Sequence, residues 1–477
     1  MRSLVFNLML CLSLNPVIAS ALQQDQSHPP AASTDLLPPI YYDSLLNGLQ
    51  ILIVERPDDE RVTIGFMIKS GAAFDLVSKE GTADLTARLI LYRLRTIDNK
   101  PLAEQFEQLK VRSGLSVSWD ATRFWFDAPR QNLVHLFPLL AEIFSRPAFS
   151  EEALHALKRE RLAELRQRSL SPMERARRAF YRKVFAGHPY ARPVEGTAAS
   201  IENVTLADIR RHFRRFYLAN NAVLLVIGNV SSEAAMPIIR PTFGALLKGK
   251  LVPATFRAPR RPQGIHITLI DQPKASEASL YMGHLAMPRS SEDFTPFLLL
   301  AHALGGTPQS QLARLTGVFA PARVELSSQL EAYRLYGVFS IRARAPSRQV
   351  PVVIATLLKF IENTRVNPIT PYELVAAKNY FLDHFPERLQ TPRDIIEQLE
   401  DIELYHLGRD YVHSYYRRIE RVTPEQIKQV AARYLSSTDL HIVVVGRAAD
   451  MEAGLRRIGV LDIVKPTDPA EASIPRQ

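Results

Sequence analysis

Val204–Asn229 reads VTLADIRRHFRRFYLANNAVLLVIGN, and Val422–Arg447 reads VTPEQIKQVAARYLSSTDLHIVVVGR. Each stretch opens on Val-Thr, runs through an amphipathic pattern and a short polar break, and ends in a β-branched run closed by Gly. The spacing from Val to Gly is the same in both (Val204 to Gly228, Val422 to Gly446). A repeat this far apart marks a duplicated domain. Thr205 and Thr423 stand at N-cap positions with Asp208 and Gln426 three residues on, the spacing of a reciprocal capping box. Pro424 sits where a first-turn proline loses no hydrogen bond. Ile209, Phe213, Phe216 and Tyr217 share one helical face, as do Ile427, Val430, Ala431 and Tyr434. LLVIG and IVVVG then read as buried strands. Each half of the chain is therefore predicted to end helix–strand, with the helix laid on a sheet.

The chain has 477 residues, and the repeat divides it into two large domains of roughly two hundred residues each. Charged residues make up 23% and apolar ones 46%, a balance that excludes a disordered chain. No stretch beyond the first twenty residues is apolar and long enough to span a membrane, so no transmembrane segment is expected. Arg2, the apolar run Leu4–Leu14 and Ala19-Ser20-Ala21 have the layout of a secretory signal. The alternative, a buried N-terminal helix, sits badly with the polar LQQDQSHPPAASTDLLPP that follows. Cys11 is the only cysteine and lies inside this segment, and Leu10 before it does not fit a lipoprotein cleavage site. A processed chain would hold no cysteine, which excludes disulfides, thiolate chemistry and cysteine zinc sites. The expected compartment is the periplasm of a Gram-negative bacterium.

Net charge is +10, spread over arginine-rich helix faces such as RRHFRRF and KRERLAELRQR. No nucleic-acid motif accompanies them, so no nucleic acid is expected as a partner. Attraction to anionic peptides or envelope surfaces stays open.

The pattern predicts an α+β chain with two tandem homologous domains. Each is a mainly antiparallel sheet with helices packed on one side. The boundaries are a signal segment 1–21, a leader 22–40, a first domain 41–247, a basic Pro-rich linker 248–263, a second domain 264–465 and a tail 466–477. The first half offers strands ILIVE and VTIGFMIKSGAAF, then a helix from about Thr82 to Arg95 and another over Pro101–Ser113. Strands GLSVSW and TRFWFDAP follow, then a helix NLVHLFPLLAEIFS, and a long helix after Ser150 to about Arg168. The second half repeats this order, including a long helix opened by Thr370 and Glu373.

NGLQILIVE, GAAFDLVSKEGTADLTARLI, HPYARPVEGT and FYLANNAVLLVIGNV, in that order, resemble the insulinase/pitrilysin family of zinc peptidases, which includes mitochondrial processing peptidase. LLLAHALGG, YELVAAKNYF and LEDIELYHLGRDYV extend the resemblance, which runs from roughly Tyr41 to Pro466. It implies a clamshell architecture and, in active members, a His-x-x-Glu-His helix. There two histidines bind Zn²⁺ and the glutamate activates water, with a second glutamate ligand on the long helix. In this chain the matching segment is GTADLTARLI. Asp84 stands at the first histidine position, Ala87 at the base and Arg88 at the second histidine. Alanine takes no proton, and arginine cannot ligate a metal. Glu160 and Glu164 stand near the distal ligand position, where the alternative is a solvated helix face. No two of the twelve histidines are three or four residues apart.

Active members also carry an Arg and a Tyr in the second half that hold the substrate carbonyl. The corresponding stretch here is SQLARLTGVFAPARVEL, with Arg314 out of step by one residue and Ala320 at the tyrosine position. The resemblance therefore implies no catalytic residues, no metal and no cofactor on this chain. Any zinc belongs to a partner, a catalytic zinc-bearing homologue in a heterodimer. The expected role is that of a non-catalytic subunit that encloses the chamber and helps bind a peptide or unfolded protein. Ser116, Val117 and Ser118 lie in the strand region expected to pair with such a peptide, and Arg314 is a further substrate-binding candidate. A different class of function, structural or scaffolding work in the envelope with no proteolytic role, fits the same residues. An active peptidase with unorthodox ligands would need several absent features at once.

Overall fold

The computed structural model describes residues 37–92, 96–97, 100–146, 148–167 and 171–465. The signal segment, the tail and most of the leader fall outside the described residues. Two six-stranded sheets and a two-stranded ribbon form the framework. The first half supplies β1 (Ile40–Ser44), β2 (Gln50–Glu55), β3 (Arg61–Ile68), the ribbon pair β4 (Thr96–Ile97) and β5 (Lys100–Pro101), β6 (Arg112–Val117), β7 (Thr122–Pro129) and β8 (Ala222–Gly228). The second supplies β9 (Ile265–Asp271), β10 (Glu277–Ala286), β11 (Glu325–Ala332), β12 (Gly337–Pro346), β13 (Leu440–Gly446) and β14 (Val460–Val464).

The sheet orders are β1-β2-β8-β3-β7-β6 and β11-β12-β10-β13-β9-β14. Pairing is antiparallel except β2 with β8, and β9 with both β13 and β14. The duplicated segments supply β8 and β13, which sit inside their sheets. Both helices before them (Leu206–Phe216 and Pro424–Tyr434) start on complete capping boxes at Thr205 and Thr423. The architecture is the tandem α+β arrangement expected from sequence.

Some boundaries differ from the pattern. The strand starting at Arg61 stops at Ile68, and Ala72–Phe74 is a 3-10 turn. The helix after Pro101 ends at Gln108, because Arg112 and Ser113 pair in β6.

Each half also lends one helix to the other. Ile64, Phe66 and Ile68 on β3 point into the first core. The intervening Gly65 faces the opposite side, where a Cβ would come within 2.8 Å of Ile396 Cγ2. Ile396 belongs to the helix Pro392–Tyr405 of the second half, which packs on β3 and β8. Reciprocally, Ala176, Phe180 and Val184 of the first-half helix Pro172–Val184 form a core with Tyr281, Val443 and Val445 of the second sheet. Helices from a sheet's own half cover one face, and a borrowed helix covers the other. Residues 248–262 connect the halves without helix or strand, yet they are held down. Asn220 brackets Gly249 with two hydrogen bonds, and Phe256 packs edge-on to Phe74 at 5.2 Å between ring centroids.

Candidate functional site

The helix Thr82–Ile90 carries the positions where the motif residues would stand. Its start is fixed from a distance. Gly81 is left-handed (φ 93°) and gives no side-chain cap. Asp75 takes that role, accepting from the Gly81 and Ala83 backbone N–H groups at 2.8 and 3.0 Å. Burial pushes the Asp75 carboxyl up to about 8, against those two bonds and the nearby Arg192. Arg192 reaches the Asp75 carbonyl at 2.8 Å and that of Ala73 at 3.2 Å. A Cβ on Gly196 would lie 2.4 Å from the Glu80 carbonyl oxygen, so only glycine lets these segments meet. HPYARPVEGT (188–197) thus works as a staple for the base of this helix. Its His188 is kept neutral, with burial and then Arg192 pulling it down to about 4, and its Nδ1 accepts the Tyr190 N–H at 3.1 Å. Tyr190 Oη donates to Asp120.

Asp84 and Arg88 lie one turn apart, and Arg88 Nε donates to Asp84 Oδ2 at 2.8 Å. Ala87 is fully buried in the first core. The long helix Glu151–Gln167 packs alongside. From it Arg161 points its Nε at the same Asp84 oxygen, 3.5 Å away, an ion-pair distance rather than a hydrogen bond. The Arg161 side chain is 11% exposed and that of Asp84 8%. Arg161 also pairs with Glu164, while Glu160 accepts from Tyr92 Oη at 2.9 Å.

Arg161 is a residue that sequence reasoning missed. The available signal was helix phase. Leu154 and Leu157 are the buried positions of this helix, and Arg161 and Glu164 continue their stripe at the same three-and-four spacing. Glu160 and Glu164 were singled out as carboxylates, whereas the residue that meets Asp84 is the cation between them.

These residues do not fit a zinc ion. Asp84 is the one donor at the three motif positions, and two guanidinium groups already hold it. Zinc prefers three or four N, S or O ligands, and a fixed positive charge beside it opposes binding. Among the described residues no group of three or more His, Cys, Asp or Glu is arranged to hold a metal. Ala87, at the position of the motif's glutamate, carries no group that could activate water.

The same helix packs beside β6, the outer edge of its sheet, which is paired on one side only, with β7. Ser116 and Val117 are the last two residues of β6. Ser118 lies just beyond and turns inward: its N–H bonds the Ala121 carbonyl at 2.8 Å and its own carbonyl accepts from Ala72 at 2.9 Å. Neighbouring residues of an antiparallel strand turn their backbone groups to opposite sides, so with the Ser118 N–H on the β7 side Val117 presents its backbone to the outer edge while Ser116 turns its own to β7. Arg314 lies on the short helix Gln311–Leu315, where it pairs with Glu373 and donates to the Gln309 carbonyl at 2.7 Å. No hydrogen bond or ion pair among the described residues joins it to Asp84, Arg88 or β6. The structure brings the helix of Asp84 and the β6 edge together and ties Arg314 locally.

Two family models match this chain: Insulinase (Peptidase family M16) over residues 50–198, and Peptidase M16 inactive domain over residues 203–381. The chain belongs to the insulinase family of peptidases, within which it lacks the His-x-x-Glu-His motif. A zinc protease of Mycobacterium tuberculosis, itself described as uncharacterized, is 21% identical over 395 residues, 82% of this chain and 90% of the relative. Another, from Rickettsia bellii, is 26% identical over 210 residues, 43% of this chain and half of that protein. Among solved structures, the peptidase M16 inactive domain from Pseudomonas fluorescens superposes with a TM-score of 0.78 at 23% identity, covering 86% of this chain and 98% of the other. The periplasmic protease PqqL of Escherichia coli superposes with a TM-score of 0.71 at 16% identity, over 88% of this chain but only 48% of PqqL.

Proposed function

We propose that this chain is the non-catalytic member of a two-chain peptidase of the insulinase type, acting in the periplasm. It encloses part of the chamber and offers its β6 edge to an extended peptide or unfolded protein. A zinc-bearing homologue does the cleavage. The observation that carries this reading is the pair of guanidinium groups, Arg88 and Arg161, on Asp84 where the metal-binding residues would stand. An edge strand supports peptide capture, since main-chain hydrogen bonds supply affinity with little demand on sequence. The signal-like N-terminus and the periplasmic relative favour the compartment.

The ion-pair cluster also suits a scaffolding protein that has left proteolysis, because it turns a reactive site into a helix crosslink. Zinc content and peptide cleavage, measured on the isolated chain and again after adding a His-x-x-Glu-His homologue from the same cell, separate the readings. The peptidase account expects an inert, zinc-free chain that raises the homologue's activity. No effect on the homologue favours scaffolding, and zinc-dependent cleavage by the chain alone defeats both.

A further inference from the structure

Two loops of the first half meet, and both display leucines to solvent. The turn from β1 to β2 carries Leu46, which is fully exposed at 101%. The chain after the helix Ser232–Phe243 carries Leu247 at 71% and Leu251 at 46%. Single exposed leucines are ordinary on a protein surface. These belong to loops pinned in place. Asn47 Nδ2 donates to the Phe243 carbonyl at 2.8 Å and to that of Leu246 at 3.1 Å. The Ala219 N–H holds the Leu247 carbonyl at 2.8 Å, and Asn220 brackets Gly249 from N–H and carbonyl alike. Gly48 lies so close to Asn220 that a Cβ there would meet the Asn220 Cβ at 2.8 Å. The three leucines are therefore carried on two loops that these bonds hold side by side.

Lys248 and Lys250 lie between Leu247 and Leu251, and both are exposed. Neither forms a hydrogen bond or ion pair with a described residue. Asp43, on the strand leading into the Leu46 turn, does not neutralise them, because Arg240 holds it at 3.1 Å. The combination is protruding apolar tips with uncompensated ammonium groups beside them, on a chain of net charge +10.

We propose that this patch seats the protein on a bilayer rich in anionic phospholipid. Leu46, Leu247 and Leu251 enter the boundary between headgroups and acyl chains, while Lys248 and Lys250 remain at the level of the lipid phosphates. Charge complementarity selects the lipid. The protrusion of the leucines selects a deformable surface over a protein groove, which would need a matching rigid shape. The proposal is independent of the peptidase reading.

The chain's single cysteine makes the test simple. In a Cys11→Ser background, Leu46→Cys, Leu247→Cys or Val460→Cys is labelled with an environment-sensitive fluorophore. Val460 is also exposed, at 62%, but lies on the edge of the second sheet. Vesicles of phosphatidylglycerol and phosphatidylethanolamine are expected to brighten and blue-shift the probes at 46 and 247, and to leave the probe at 460 unchanged. Phosphatidylcholine vesicles are expected to have little effect. Lys248→Glu with Lys250→Glu should weaken the vesicle response by roughly tenfold or more, with the urea unfolding midpoint unchanged. Silent probes at 46 and 247, an equal response at 460, or an equal response to both vesicle types would overturn the proposal.

Discussion

Arg161 Nε lies 3.5 Å from Asp84 Oδ2, the oxygen that also takes Arg88 Nε at 2.8 Å. One carboxylate thereby takes a cation from its own helix, Arg88, and one from the long helix, Arg161, and the second contact joins the two helices. The arrangement does the mechanical work of a metal bridge, holding the helix Thr82–Ile90 to the long helix Glu151–Gln167, without its chemistry. Asp84 and Arg161 are both largely out of water, so each needs the other more than a surface pair would.

Arg161→Met keeps the apolar stem and removes the charge. It should destabilise the protein by about 1–3 kcal/mol, less than for a fully stranded charge because Arg88 stays on Asp84. Asp84→Ala should cost a similar amount, and the double variant should cost clearly less than the sum. Urea unfolding of the three variants measures the coupling, and additive losses would remove Arg161 from the account.

Restoring the motif should not by itself restore the metal. With Asp84→His, Ala87→Glu and Arg88→His in place, the Arg161 guanidinium still points at the first ligand position and still holds Glu164. Metal analysis should find the triple variant well short of one zinc per chain. Adding Arg161→Leu should raise the zinc content towards one. A full zinc complement in the triple variant would mean that Arg161 is easily displaced.

The two halves should fold as a single unit. Each sheet has a face covered by the other half's helix, and Trp119 of the first half packs against Tyr333 of the second at 5.0 Å. Asp120 tightens the same seam, taking the Tyr190 hydroxyl and the Arg334 backbone N–H. Arg393 stacks over Trp125, so both tryptophans of the chain report on contacts between halves. Tryptophan fluorescence and far-ultraviolet circular dichroism should therefore unfold together. Residues 37–247 and 264–465 expressed apart should each be unfolded or aggregated. Two resolved transitions would show that the halves are joined by a hinge and not by a shared core.

Stability should fall as pH rises through neutrality. Glu400, on the borrowed helix, is pushed up to about 8, first by burial and against the Arg123 guanidinium 3.0 Å away. Asp401 and Glu397 push in the same direction. A glutamate raised in the folded state holds its proton more tightly there than when unfolded. Its contribution is complete below the unfolded value of about 4.3 and is lost as pH rises through the folded one. The slope from one such group is at most about 1.4 kcal/mol per pH unit. Glu400→Gln should flatten the decline in urea midpoint between about pH 7 and 8; at lower pH the profile tilts the other way, because His188, His212, His284, His302 and His441 are held neutral in the fold and must give up protons on folding. Some slope should remain, because Asp75 is raised in the same direction. An unchanged profile would mean that Arg123 keeps Glu400 ionised.

Local order was legible wherever one segment determines it. The capping boxes at Thr205, Thr370 and Thr423 announce their helices, and the alternation of LLVIG and IVVVG with turns marks β8 and β13. The duplication gave the number of domains. What stayed hidden depends on how distant surfaces meet. Pro392–Tyr405 and Pro172–Val184 look like ordinary amphipathic helices, and nothing in their spacing says which sheet they cover. The loss of the metal motif was visible at Asp84, Ala87 and Arg88. Its replacement by Arg161 was not, because that contact depends on the relative rotation of two helices far apart in sequence.

The central claim is that this chain works as the inert half of a pair. Affinity purification from its native envelope fraction, followed by metal analysis and a peptide-cleavage assay on the eluate, tests it most directly. The account predicts a one-to-one complex with a homologue carrying His-x-x-Glu-His, zinc in that partner, and cleavage by the complex but not by this chain alone. Recovery of the chain without a peptidase homologue, metal-free and inactive, would contradict it.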